Sequence, residues 1–292
     1  DLYPAHYMVN AESSGINSYI YTAKEFTLAF TKKLDKDCVA VVCSHSGNTP
    51  EAVKAAYAAK KAGAYVITLT NNKNSKLDSP DFAAWVYSWG SDVKTAEVPI
   101  GISLLLAAEL INAQEGFPKF DALLKAVGQT DGVIEKAVKK VNSGLCEKFA
   151  QSCKENDFFY ILGSGAAFSQ TYGLAICSLM EMQRQNCCYI HSGEYFHGPF
   201  EVTENGVLYV IQMSSGKSRE MDERALKFLK SHTDRLIVID ALELGMDGLD
   251  ASVREYLDPA LFYAVNCELR EARGRLFNHP VKTRRYMGIE EY

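Results

Sequence analysis

The residues of this chain with the clearest chemical reading stand in three places. The first is Ser44-His45-Ser46-Gly47-Asn48-Thr49-Pro50, directly after a valine-rich apolar run. Two serines, a threonine and a glycine converge where the Thr49-Pro50 pair marks the start of a helix. Free backbone N–H groups and the helix dipole favour an anion at such a point, and hydroxyls add donors. No Lys or Arg stands in the loop and no Gly-Lys-Ser/Thr follows, so it is not a Walker loop. A phosphate dianion would rest on dipoles and hydroxyls. The competing reading is an ordinary strand-to-helix turn with Thr49 as its cap.

The second place is the polar cluster His191-Ser192-Gly193-Glu194-Tyr195-Phe196-His197-Gly198-Pro199-Phe200-Glu201. Histidine titrates near neutrality and a buried glutamate can be raised toward it, so a histidine–carboxylate pair suits general acid/base work. His191, Glu194 and His197 could also supply three metal ligands, but the HExxH spacing is absent and Gly198-Pro199 stops any helix. The expectation is no metal. The third place is Glu181, flanked by Met180 and Met182 near the end of an apolar helix. A carboxylate there is costly if buried, so it is either functional or solvated at the helix end. The Gly163-Ser164-Gly165 pair invites a dinucleotide reading, but Phe168 stands where a third glycine belongs and Glu181 lies in the helix rather than after the next strand. No cofactor is expected.

These residues need elements to hold them. Residues 39–44 read as a buried strand, 50–61 as a helix stopped by Gly63, and 65–70 as the next strand. Strand, loop, helix and strand with short connections is the pattern of a parallel sheet covered by helices. Residues 95–114 read as a helix with Gly101 as an internal weak point. Residues 131–155 read as a second, with Val133, Ile134, Ala137, Val138 and Val141 on its apolar face. The alternation then resumes: a strand over 158–162, the glycine loop, a helix over 166–182, and strands over 188–190, 207–213 and 235–240. A helix runs from Arg219 to Ser231-His232. A final helix, capped by Asp258-Pro259, reaches about Phe277 before a Pro- and Arg-containing tail.

The halves repeat each other. Tyr19-Ile20 is followed by Ser46-Gly47, and Tyr189-Ile190 by Ser215-Gly216, each pair after an apolar strand and before a helix. The fold class expected is α/β, with two tandem domains over 1–125 and 126–292, each a doubly wound, flavodoxin-like parallel sheet flanked by helices. By the offset of the repeat, the first-half partner of the Gly163-Ser164-Gly165 loop falls before residue 1. The first domain is therefore expected to lack its opening strand and glycine loop, with a helix over 2–12 as the remnant of that unit.

Composition narrows the classes. The 292 residues carry 31 Lys+Arg against 36 Asp+Glu, a net charge of −5, which argues against a general nucleic-acid binder or a polybasic membrane patch. The most apolar stretch, residues 100–111, is far shorter than the roughly 20 residues of a membrane span. Eight cysteines include no C-x-x-C pair, and free thiols in a reducing cytoplasm are the default.

The Ser44–Thr49 loop resembles the phosphosugar loop of the sugar isomerase (SIS) domain. Leu179-Met180-Glu181-Met182-Gln183 through the His191–Glu201 cluster, with the tail Thr283-Arg284-Arg285-Tyr286-Met287-Gly288 to Glu291-Tyr292, resembles the fructosamine 6-phosphate deglycases. The resemblance runs over essentially the whole chain; the isomerising half of glucosamine-6-phosphate synthase is a more distant relative. It implies two SIS domains and a homodimer with sites at the subunit interface. It implies phosphate binding by Ser44, Ser46 and Thr49, with His45 contributing through its backbone. Glu181 matches the catalytic carboxylate and His197 the histidine of the E-x-x-H-G-P motif. Glu194, Arg284 and Arg285 are candidates for substrate contact or structure. The substrate class implied is an amine-bearing phosphosugar, with no nucleic acid or membrane partner. The alternatives are an aldose–ketose phosphosugar isomerase and a phosphosugar-sensing SIS module, for which a basic DNA-binding segment is wanting. No tail lysine matches the one the amino-sugar synthase uses for Schiff-base chemistry, which favours deglycation over amide transfer.

Overall fold

The computed structural model describes residues 1–90 and 93–291; Tyr292, the last residue of the tail motif, lies outside them. The chain divides after Gly116 into two units. The first contains α1 (Tyr3–Glu12), a single turn α2 (Ala23–Glu25), β1 (Val39–Cys43), α3 (Pro50–Lys61), β2 (Tyr65–Thr70), β3 (Ala83–Val86) and α4 (Pro99–Glu115). The second contains α5 (Phe120–Asn142), α6 (Leu145–Glu155), β4 (Phe158–Gly163), α7 (Phe168–Tyr172), β5 (Asn186–His191), β6 (Tyr209–Met213), α8 (Arg219–His232), β7 (Leu236–Asp240) and α9 (Asp258–Leu276). The 125/126 division read from the sequence falls inside α5.

The first sheet has the order β1-β2-β3, all parallel. Its residues alternate between two covering layers, as the pleat requires. Ala40, Val42 and Val66 pack with Ala52, Ala56 and Ala59 of α3, whose small side chains let the helix sit close. Val41, Cys43, Ile67 and Leu69 face Ile102 and Leu106 of α4 on the other side. Gly63, at φ 100°, ends α3 at the position where a left-handed residue is needed.

The second sheet has the order β5-β4-β6-β7, again all parallel. Leu162, Tyr209, Ile211 and Met213 pack against Ala225 and Leu229 of α8. On the opposite face, the buried Gln212 donates to Asn266 of α9 at 2.7 Å and accepts from Thr171 at 3.2 Å, so its amide is satisfied inside the layer. Arg219 forks onto Asp240 with bonds of 2.8 and 2.7 Å, tying the start of α8 to the end of β7. The β1-α3-β2 and β6-α8-β7 units repeat one another: Val39 pairs with Tyr65 as Tyr209 pairs with Leu236. Tyr19 and Ile20 are in no strand, and no counterpart of β4 stands in the first sheet among the described residues.

Four local readings need correction. Gly101 is no weak point: a Cβ there would strike the Thr95 carbonyl oxygen, so the glycine lets the turn before α4 fold onto the helix. The helix read over 131–155 is two, α5 starting earlier and ending at Asn142, α6 starting at Leu145; the apolar repeat runs through Ser143-Gly144, but the backbone does not. The helix read over 166–182 begins as a 3-10 turn, passes through α7 and ends as a π-helical segment over Gly173–Glu181. Asp258 is the first residue of α9 and does not cap it; Leu257 holds the cap position and the Asp258 carboxylate is used elsewhere.

Candidate active site

In the first unit, β1 delivers Ser44 to the head of α3. The Ser44 and Thr49 hydroxyls meet at 2.8 Å. Thr49 holds the cap position, but its side chain makes no capping bond to its helix and turns to Ser44 instead. Ser44 is buried; His45, Ser46 and Thr49 are exposed. The Ser46 hydroxyl accepts from the Asn48 N–H at 3.2 Å. Gly47 sits at φ 64°, and a Cβ there would collide with Ser75 and Thr70, so glycine is required. The His45 carbonyl accepts from Asn71 N–H at 3.1 Å and the Thr70 hydroxyl at 3.3 Å. Its ring bonds the Tyr87 hydroxyl at 3.0 Å and meets Trp89 edge-on. The His45 side chain is thus committed to the Tyr87–Trp89 side of the loop. The first N–H groups of a helix such as α3 have no partner within the helix, and with these hydroxyls they are donors of the kind an anion could use.

The repeat of this loop in the second unit is filled from within. Asp258 accepts from the Ser215 N–H at 2.7 Å, the Ser215 hydroxyl at 2.6 Å and the Ser214 hydroxyl at 2.9 Å. The Ser214 N–H donates to Asp222 at 2.9 Å. A Cβ on Gly216 would run into Glu255. All of Ser214, Ser215, Asp222 and Asp258 are buried. A protein carboxylate therefore occupies the second loop, at the topological switch between β4 and β6 where ligands of such sheets bind. Burial pushes Asp258 up to about 7 and Asp222 up to about 6.

Glu181 closes the π-helical segment, an arrangement found often at functional sites. Its Oε1 lies 2.9 Å from Nη2 of Arg284, and both side chains are about three-quarters covered, at 25% and 24% exposure. The carboxylate also acts on Cys177 and Tyr172: burial raises both groups and the Glu181 charge adds to the rise. The helix runs on through Met182 and Gln183 and turns at Arg184, φ 51°; that turn is held by the buried Arg273, which donates to the carbonyl and side-chain oxygens of Gln183, each at 3.0 Å, and to Gln185 at 2.8 Å.

The His191–Glu201 loop is pinned by its aromatics. Tyr195 is fully buried, and its hydroxyl, that of Thr203 and that of Tyr209 form a chain of bonds at 2.6 and 3.0 Å. Phe196 and Phe200 pack on Phe228. Glu194, just before these anchors, and His197, between Phe196 and Phe200, stand exposed on consecutive turns. His191 is different: burial holds its imidazole below the usual value, with Glu194 opposing, and Nδ1 accepts from the Gly193 N–H at 3.1 Å. Among the described residues no hydrogen bond or ion pair joins Glu181 to His197, and no group of three or more His, Cys, Asp or Glu is placed to hold a metal. Arg285 is exposed, with its guanidinium 5.9 Å from the Tyr286 ring. The sequence reading missed the Asp258 plug and the partner of Glu181.

The first unit is a parallel α/β unit with a hydroxyl-lined loop at the head of α3, and the SIS domain family model matches residues 5–85. The fructosamine deglycase FrlB of Bacillus subtilis is 34% identical over 100% of this chain and 88% of its own length. The fructoselysine 6-phosphate deglycase of Escherichia coli K12 is 27% identical over 96% of this chain and 80% of its own. A solved structure from Salmonella typhimurium, proposed to be a phosphosugar isomerase, superposes with a TM-score of 0.95 at 34% identity, covering 100% of this chain and 89% of that one. The chain belongs to the fructosamine deglycase family of SIS-domain enzymes. Among the described residues no helix is long and apolar enough to cross a membrane.

Proposed function

We propose that the chain converts a 6-phosphofructosamine, the ketoamine of fructose 6-phosphate with an amino acid, and water to glucose 6-phosphate and the free amino acid. The observation that carries this reading is the likeness to FrlB over the whole of this chain, with Glu181 held in a defined place at the end of the π-helical segment. The phosphate rests on Ser44, Ser46 and Thr49, with the His45 backbone, where hydroxyls and the head of α3 offer donors. In the open-chain ketoamine, C1 lies between the amine and the C2 ketone, which makes its protons acidic enough for a positioned carboxylate. Glu181 takes a proton from C1, leaving an enaminol, and returns one to C2. The C1–nitrogen bond becomes an imine, water adds at C1, and the C1–N bond breaks to release the amine and the aldose phosphate. His197, exposed at the rim of its loop, serves as acid/base in ring opening or at the leaving nitrogen. The chemistry calls for no metal or organic cofactor.

The enzyme works as a homodimer on a small molecule, with neither nucleic acid nor membrane as partner, and its eight unpaired thiols suit a reducing cytoplasm. Incubation with 6-phosphofructose-lysine and 6-phosphofructose-aspartate, beside plain fructose 6-phosphate, separates the readings. Equal release of amine and glucose 6-phosphate from a ketoamine supports deglycation. Turnover of fructose 6-phosphate alone points to an aldose–ketose isomerase.

A further inference from the structure

We infer that Arg284, from the C-terminal tail, is the positioning residue of Glu181; this rests on Glu181 being the proton-transfer base. The guanidinium meets one carboxylate oxygen only, Nη2 on Oε1 at 2.9 Å. Its other terminal nitrogen, Nη1, is committed to the tail's own backbone, donating to the Val281 and Thr283 carbonyls at 2.8 and 3.1 Å. The fork is therefore aimed, and it leaves Oε2 as the oxygen that meets the sugar.

The tail is fixed to the same brace as the turn at Arg184. Arg273, buried in α9, holds Gln183 through both the carbonyl and the side-chain oxygen. Gln183 in turn donates to the His279 carbonyl at 3.2 Å, where the tail leaves the helix. The His279 N–H donates back to Gly274 at 2.8 Å, and a side chain at Gly274 would press on both His279 and Gln183. Carboxylate and guanidinium thus reach each other from two segments that one buried arginine ties together.

A carboxylate that must serve C1 and then C2 of one substrate needs to keep one rotamer through both transfers. Pinning Oε1 does that and lets a single oxygen carry the proton. A misplacement of about 1 Å in such a group costs on the order of 100-fold in rate.

The test uses the full chain and a 6-phosphofructosamine as substrate. Arg284→Ala is expected to lower kcat about 10- to 100-fold with KM changed less than about 3-fold. Arg284→Lys should recover part of the loss, and added guanidinium chloride should raise the rate of Arg284→Ala but not of the unaltered enzyme. An unchanged kcat in Arg284→Ala overturns the inference. So does a loss expressed wholly in KM or in melting temperature and not relieved by guanidinium. Glu181→Gln distinguishes the two levels. If it turns over, the base assignment itself fails; if it is inactive while Arg284→Ala is normal, only the role of Arg284 fails.

Discussion

Asp258 accepts both the backbone N–H and the hydroxyl of Ser215, at 2.7 and 2.6 Å. The head of α9 thus supplies a carboxyl group to a loop whose repeat in the first unit holds none among the described residues. Two copies of one strand–loop–helix unit differ in what fills the loop, and they differ in burial. Ser46 and Thr49 face solvent, whereas Ser214 and Ser215 are covered.

This plug predicts a pH-dependent stability. Asp258 is pushed up to about 7 and Asp222 up to about 6 in the folded chain, from 3.8. The folded state then holds these protons more tightly than the unfolded chain. Their contribution is full below about pH 4 and is lost as the pH climbs to about 7. Thermal melting between pH 5 and pH 8 should show a falling melting temperature, and Asp258→Asn should flatten the slope. A slope unchanged in that variant contradicts the assignment.

The Ser44–Thr49 loop gives a prediction for substrate binding. A hydrogen bond to a charged group is worth about 1.5–3 kcal/mol, so Ser44→Ala and Thr49→Ala should each raise KM about 10- to 100-fold. Because the two hydroxyls bond each other at 2.8 Å, the double variant should cost less than the sum of the singles. Steady-state kinetics over the four proteins gives the coupling. Strict additivity would mean that the pair does not act on one phosphate.

Gly101 reverses the usual rule for helices. Replacing glycine by alanine inside a helix ordinarily gains about 0.5–1 kcal/mol. Here the added methyl strikes the Thr95 carbonyl, so Gly101→Ala should destabilise by about 1–3 kcal/mol in urea unfolding. At Gly128 and Gly132, in α5, a Cβ would meet open space among the described residues, so they serve as controls; alanine there should be neutral or stabilising.

How legible the molecule was depends on the range of the contact. The β1-loop-α3-β2 unit could be read to within a residue, because a β-branched run, Thr49-Pro50 and Gly63 are local signals with local causes. The break at Ser143-Gly144 was hidden by an apolar period that continues across it. Composition left Glu181 open between a functional and a solvated reading, and the family resemblance chose between them. Its pairing with Arg284 could not be read at all, since the tail has no periodicity and the partners are over one hundred residues apart. Asp258 before a proline looked like a cap for the same reason. The signal for a helix start is local, and Ser215, which holds the carboxylate, is 43 residues upstream.

The step proposed for this chain is proton transfer by Glu181 between C1 and C2 of a phosphorylated ketoamine. The direct measurement is the paired release of glucose 6-phosphate and amine from a 6-phosphofructosamine by the unaltered chain and by Glu181→Gln. The unaltered chain should release both products in equal amounts. Glu181→Gln should lose about 100- to 10,000-fold in rate and still bind the substrate with little change in affinity. Turnover by Glu181→Gln at the rate of the unaltered chain would contradict it.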